Sequence, residues 1–188
     1  MTADEVRRVL ADHFRAPARQ AVIQVLAKLP NFFEGWFTAE TLFALRIHWP
    51  DATVSSNTNH AGFQKPDIAF AREGFTGIFA LKHIATSHAD AQSRWDGAKG
   101  STVAKDINSL RSARANAVAL RALVFYGPGF PVVHDAGATC EKNSLRCIAC
   151  SVKHLSRVVV AGGGERVADP AIEPLLDDGT FYLLDFVP

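Results

Sequence analysis

The sequence has few cysteines and no long apolar runs, and each absence excludes a class of protein. None of its apolar stretches approaches the length of a membrane span, and residues 2–8, charged with both signs, contain no apolar signal core. Three cysteines, an odd number, argue against a disulfide framework. There is also no internal repeat, low-complexity tract or long linker. We therefore expect a cytoplasmic protein without a membrane partner.

The chain has enough hydrophobic residues to form the core of one folded domain. Its 188 residues are 48% hydrophobic, which suits a globular core rather than a disordered chain. We expect a single domain over residues 1–188, in three parts. Residues 1–50 are N-terminal helices, residues 51–126 form a sheet with a crossover helix, and residues 127–188 add a helix and strands.

Apolar periodicity and turn residues predict an α/β fold with a mixed central sheet flanked by helices. The predicted helices are 3–14, 17–29, 38–48 with Thr38 as N-cap, 103–118 capped by Ser101 or Thr102, and 141–154. The predicted strands are 52–58, 66–71, 76–84, 123–126, 158–161 and 181–187. A tight turn at 72–74 joins two of them into a hairpin.

Two oppositely charged residues lie on the two strands of this hairpin. Asp67 falls in the first strand and Lys82 near the end of the second. A carboxylate and an amine on paired strands suit metal-assisted hydrolysis of a phosphodiester. Residues two apart in a strand point to the same face, so position 80 and Lys82 face the same site. That chemistry normally uses a second carboxylate at position 80, where this chain has Ala80.

In order and spacing these features resemble the PD-(D/E)XK nuclease superfamily, which has the restriction-endonuclease-like fold. The resemblance covers about residues 35–126, and it rests on Pro66-Asp67, on Ala80-Leu81-Lys82, on the helix from 103 and on the strand at 123–126. It implies a Mg²⁺-dependent endonuclease, with Mn²⁺ able to substitute, that cleaves DNA in restriction, antiviral defence or DNA processing. It implies Asp67 as a metal ligand and Lys82 as the residue that orients or deprotonates the attacking water. A homodimer or a larger protein complex is the implied assembly.

Ala80 departs from the family pattern, because a methyl group cannot bind a metal ion. Three explanations are open: an acid changed to alanine by engineering, a natural pseudo-nuclease that binds DNA without cutting it, and a carboxylate supplied from another element. We favour the first, which would leave this form inactive or weakened. A non-catalytic module that binds DNA or a protein partner is the main alternative function.

Two glutamates near the start of the third predicted helix, one before it and one inside it, are candidates for a carboxylate supplied from elsewhere. Many family members contribute a glutamate from an N-terminal helix, which makes Glu34 and Glu40 the residues to consider. We choose Glu40 as a catalytic residue and metal ligand. The competing interpretation is that Glu40 stabilises the first turn of its helix through the helix dipole.

The middle of the chain is basic, although the whole carries a net charge of only +1. Residues 91–121 hold six basic and two acidic side chains, whereas residues 165–188 hold one basic and six acidic. A basic segment suits a phosphate backbone, but it also suits an ordinary solvated helix face. The predicted nucleic-acid contacts are Gln64, Lys65, Lys105, Arg111 and Arg114.

A second pattern of ligand-type residues lies further along the chain. Cys140, Cys147, Cys150 and His154 together have the residue types of a tetrahedral zinc shell. However, the predicted helix at 141–154 places the last three on one face, which is also the face expected to pack. We therefore consider zinc an unlikely cofactor.

Overall fold

The structure is a computed structural model that describes seven segments of the chain, which contain five helices and six strands. These segments are residues 1–26, 33–57, 66–84, 102–112, 119–126, 148–176 and 181–187, with 33, 112 and 119–126 described by their backbone alone.

Three helices occupy the N-terminal part: α1 (Ala3–Arg15), α2 (Pro17–Leu26) and α3 (Phe33–His48). Thr2 and Glu5 form a reciprocal capping box that satisfies backbone N–H groups at the start of α1. The prediction for α1 is confirmed, and α2 is helical as far as the structure describes it. These helices form the predicted N-terminal helical segment.

The start of α3 was predicted wrongly. Thr38 is not an N-cap but lies inside the helix, where its hydroxyl donates to the Glu34 carbonyl oxygen at 3.0 Å. The earlier start brings Trp36 and Phe37 onto Phe14, at ring-centroid distances of 6.0 and 4.9 Å. Tertiary packing of these aromatic rings outweighs the local preference of threonine for a cap.

The strands form one mixed sheet with the order β1-β2-β3-β4-β6-β5. Only β3 and β4 pair in parallel; the other neighbours are antiparallel. The remaining elements are β1 (Thr53–Ser55), β2 (Ile68–Arg72), β3 (Phe75–Ile84), α4 (Val103–Ser112), β4 (Ala119–Tyr126), α5 (Ile148–Ala161), β5 (Ala171–Pro174) and β6 (Tyr182–Phe186).

The predicted hairpin is present, and β2 pairs with β3 in the register Ile68 to Phe79. Arg72 pairs with Phe75, so the turn consists of Glu73 and Gly74, and Gly74 adopts a φ of 71°. A positive φ at this position suits glycine, which has no Cβ to clash.

The C-terminal part differs from the prediction in two places. Residues 158–161 are the last turn of α5 rather than a strand, because Leu155 and Val159 continue its buried helical stripe. The glycines that follow end this helix, with Gly163 at a φ of 83° and the Gly164 N–H donating to the Val159 carbonyl oxygen at 2.9 Å. The short edge strand β5 was not predicted.

Helices cover both faces of the sheet, as predicted. One face carries α1 and α3 over an aromatic-rich core, and the other carries α4 and α5 over a mostly aliphatic core. Strand β3 contributes to both, since Phe79 and Leu81 belong to the first core and Ile78 and Ala80 to the second. The end of β3 therefore lies between two helical layers.

Two further observations bear on the sequence predictions. No helix in the described segments has the length and apolar character needed to cross a bilayer.

Cys150 is disulfide-bonded, whereas the odd number of cysteines argues against a disulfide framework. A disulfide sulfur is not a thiolate, so in this state Cys150 is not a zinc ligand. Cys140 and Cys147 lie outside the described residues.

Candidate functional site

Asp67 sits at the entrance of β2, against the neighbouring strand. Its Oδ2 accepts a hydrogen bond from the Leu81 backbone N–H at 2.7 Å. Extending the β2–β3 register by one residue places Asp67 directly opposite Ala80. Asp67 itself lies just before β2, and burial raises the pKa of its carboxyl while the nearby Lys82 ammonium lowers it. The two motif residues are thus brought together.

Lys82 is a buried cation held between two helices. Only 5% of the residue is exposed, and its Nζ lies 3.4 Å from Glu34 Oε1 and 3.4 Å from Asp106 Oδ2. Glu34 belongs to the first turn of α3 and Asp106 to the first turn of α4, helices that cover opposite faces of the sheet. A long lysine side chain near the end of β3 therefore meets carboxylates from both layers.

We call Glu34, Asp67, Lys82 and Asp106 the acidic cluster. Burial raises the pKa of Asp67, while the Leu81 N–H and the Lys82 ammonium oppose that rise and the Glu34 carboxylate adds to it. Three carboxylates face one ammonium, so the cluster carries a surplus of negative charge when all four groups are ionised.

The chemistry of this donor set fits a hard divalent ion, because carboxylate oxygens are the ligands that Mg²⁺ prefers. In the part of the chain that the structure describes, no three acidic, histidine or cysteine side chains are already grouped as a metal site. Glu34 is the most open acid of the cluster, with 39% of its side chain exposed. A cation would reach the cluster from that side.

Glu40, chosen from the sequence as a ligand, is held elsewhere. Its Oε2 lies 2.7 Å from His13 Nε2 and 3.3 Å from Arg19 Nε. Glu34 and Glu40 are separated by six residues, or about 600° of helical rotation, which places them on faces about 120° apart. The structure therefore brings Glu34, not Glu40, to Lys82, and the choice between the two glutamates has to be corrected.

Ala80 is buried at 4% exposure in the aliphatic core, on the face covered by α4. Asp106, on that same helix, was not identified from the sequence. The spacing held a usable indication, since Thr102 caps α4 and Asp106 borders the buried stripe formed by Val103 and Ile107. An acid beside a buried stripe in a helix that follows the motif is a natural candidate for the site.

The predicted nucleic-acid contacts have different outcomes. Lys105 is exposed on α4. Arg111 donates through Nη1 and Nη2 to the backbone carbonyl oxygens of Glu165 and Arg166, at 2.7 and 3.3 Å. Its guanidinium therefore holds a neighbouring segment in place. Gln64, Lys65 and Arg114 lie outside the described residues.

No protein-family model, curated protein or solved structure matches this chain. The acidic cluster, with the strands and helices that assemble it, is therefore the basis for inferring a function.

Proposed function

We propose that the chain is a metal-dependent DNA endonuclease in which Glu34 and Asp106 supply the carboxylates that are missing at position 80. The observation that carries the proposal is the position of the buried Lys82 ammonium, 3.4 Å from each of these two acids and next to Leu81, whose N–H donates to Asp67. These are the residue types that phosphodiester hydrolysis requires, and they are assembled by the two motif strands.

The order of elements supports this proposal. Strands β1, β2 and β3 form an antiparallel meander, and β4 lies parallel to β3 after the intervening helix α4. This is the arrangement of hairpin, basic helix and following strand on which the sequence resemblance rests. It places the beginning of β2, the end of β3 and the first turn of α4 close together.

Each residue of the cluster has a role in the proposed reaction. Asp67, Glu34 and Asp106 would hold the divalent ion, which supplies activation of water and neutralisation of phosphate charge when bound. Lys82 donates hydrogen bonds that orient the attacking water and the non-bridging phosphate oxygens. The water oxygen forms a bond to phosphorus and gives up a proton to solvent, while the bond to the leaving oxygen breaks and that oxygen takes up a proton from solvent.

The test is cleavage of linear and circular DNA by the purified chain with Mg²⁺ or Mn²⁺. Asp67→Asn should abolish cleavage, since it removes one negative charge while keeping the amide oxygen as an acceptor for the Leu81 N–H. Glu40→Gln, a change in the same helix layer but outside the cluster, is the matched control and should cut as the wild type does.

The effect of Ala80→Glu separates the explanations for position 80. If Glu34 and Asp106 suffice, the wild-type chain cuts and Ala80→Glu gives no gain. If the alanine at position 80 is what impairs cleavage, the wild-type chain cuts weakly and Ala80→Glu raises the cleavage rate. Cleavage by neither chain, on single- or double-stranded DNA or RNA, contradicts the nuclease proposal.

A second candidate is a non-catalytic module that binds DNA or a protein on the same fold. One observation favours it: the Lys82 ammonium is already ion-paired with two carboxylates. A lysine fixed in this way stabilises the junction of β3, α3 and α4 without any substrate. This candidate predicts DNA or protein binding that is unchanged by chelators and by Asp67→Asn.

A further inference from the structure

A shallow basic groove of about 290 Å³ lies on the outer side of α5. Three cationic side chains, one serine and one valine form its walls: Lys153, Ser156, Arg157, Val160 and Arg166. Along α5, residues 153, 157 and 160 are spaced three or four apart, so they share one face, opposite the buried stripe of Leu155 and Val159. We call this feature the α5 groove.

The cations of the α5 groove have no acidic partner among the residues that the structure describes. Lys153, Arg157 and Arg166 are exposed, and within the described segments none has a carboxylate oxygen within 4.0 Å. This sets them apart from Arg7, Arg15, Arg19 and Arg72, which are all ion-paired. Three uncompensated positive charges around one groove predict an anionic partner.

The wall that carries Arg166 is fixed in position. The Ser156 hydroxyl contacts the Val167 N–H and carbonyl oxygen at 3.2 and 3.4 Å, and Arg111 holds the carbonyl oxygens of Glu165 and Arg166. Gly164 packs so tightly that a Cβ there would lie 2.8 Å from Val159 Cγ1. The groove is therefore organised before any ligand binds, which lowers the entropy cost of binding.

We propose that the α5 groove binds the phosphodiester backbone of nucleic acid, as a second contact surface beyond the acidic cluster. The choice of nucleic acid as the polyanion rests on the proposed function. Its described lining residues include neither an aromatic ring nor an amide side chain, so we expect it to contact phosphates without selecting a base sequence. It also neighbours α4, the helix that carries Asp106, because Arg111 of α4 holds one of its walls.

The test measures DNA binding by fluorescence anisotropy in the presence of a chelator, over a series of salt concentrations. Each of Lys153→Gln, Arg157→Gln and Arg166→Gln should lower the slope of log affinity against log salt by about 0.9, and the triple variant by about 2.7. The loss should be equal on duplexes of unrelated sequence. Arg8→Gln removes an exposed cation from α1, on the other side of the sheet, and should leave the slope unchanged.

An unchanged slope in the triple variant overturns the inference. So does equally tight, equally groove-dependent binding of polyglutamate, since the partner is then an acidic polypeptide. The failure of the groove and of the nuclease proposal are distinguishable. If the wild type cleaves DNA with metal but the triple variant keeps the wild-type salt slope, only the groove proposal is contradicted. If DNA binding depends on the groove but no form of the chain cleaves, only the nuclease proposal is contradicted.

Discussion

Two part-buried charge clusters join α3 to the rest of the molecule, and they differ in how their charges balance. Around Glu40, one carboxylate meets His13 and Arg19. In the acidic cluster, one ammonium meets the carboxylates of Glu34 and Asp106 beside Asp67. The first cluster joins one carboxylate to two nitrogen-bearing side chains, whereas the second joins three carboxylates to one ammonium. This difference in residue types is why the acidic cluster is the candidate site.

The largest difference between the clusters should appear on removal of their cations. Lys82→Met should lower the cleavage rate by about 10²–10⁴-fold, because it removes the ammonium that donates within the acidic cluster. Arg19→Met removes a cation from the Glu40 cluster and should cost about 1 kcal/mol of stability with little change in rate. Single-turnover cleavage and urea unfolding of both variants measure these effects. Equal rate losses would show that the two clusters do not differ in function.

The two glutamates of α3 provide a smaller and sharper contrast. Glu34→Gln should weaken divalent-ion affinity by about 10–100-fold, as loss of an oxygen donor or its support does at metal sites. Glu40→Gln should leave that affinity unchanged but destabilise the fold by about 1–2 kcal/mol, because two charge-assisted contacts are lost. The divalent-ion affinity is measured from the cleavage rate as a function of metal concentration, and the stability change from the free energy of unfolding. A reversed pattern would restore Glu40 as the ligand.

The smallest effect concerns the pH dependence of stability. A carboxyl whose pKa is raised on folding, as burial does for Asp67, holds its proton more tightly in the folded state. Its contribution to stability is therefore most favourable below the unfolded pKa and is lost as pH rises through the folded pKa. Asp67→Asn avoids the cost of burying an ionised carboxylate. The Tm of the variant should therefore be a few degrees higher than that of the wild type at neutral pH.

The same comparison at acid pH is the control for that prediction. The gain in Tm of Asp67→Asn should shrink as pH falls towards the unfolded pKa, where the wild-type carboxyl is also neutral. Thermal unfolding of both proteins over a pH series is the measurement. A variant that is less stable than the wild type at neutral pH, or a gain independent of pH, would show that burial does not dominate at Asp67.

Much of the fold is encoded in local patterns that a single sequence displays. Thr102 and Gly74 each act within a few residues, and each has the predicted role. The capping box of Thr2 and Glu5 is equally local, although it was not predicted. Periodicity identified α1, α4 and the hairpin for the same reason. The failures involve long-range contacts: the start of α3 depends on Phe14, and the helical state of 158–161 depends on packing against the sheet.

The candidate site was predictable in part. That position 80 and Lys82 face the same side of β3 follows from strand alternation, which is local. The partners of Lys82 do not, because Glu34 and Asp106 come from helices on opposite faces, separated in sequence by 48 and 24 residues from the lysine. Choosing Glu34 over Glu40 required the rotational position of each residue on α3, and this depended on where the helix begins.

The most direct test of the charge imbalance is titration of Mn²⁺ into the purified chain, followed through the EPR signal of the free ion. We predict one saturable site per chain that is lost in Asp67→Asn and weakened in Glu34→Gln but retained in Glu40→Gln. Absence of a saturable site in the wild type, or a site that survives both changes in the acidic cluster, would contradict the assignment of that cluster as the functional centre.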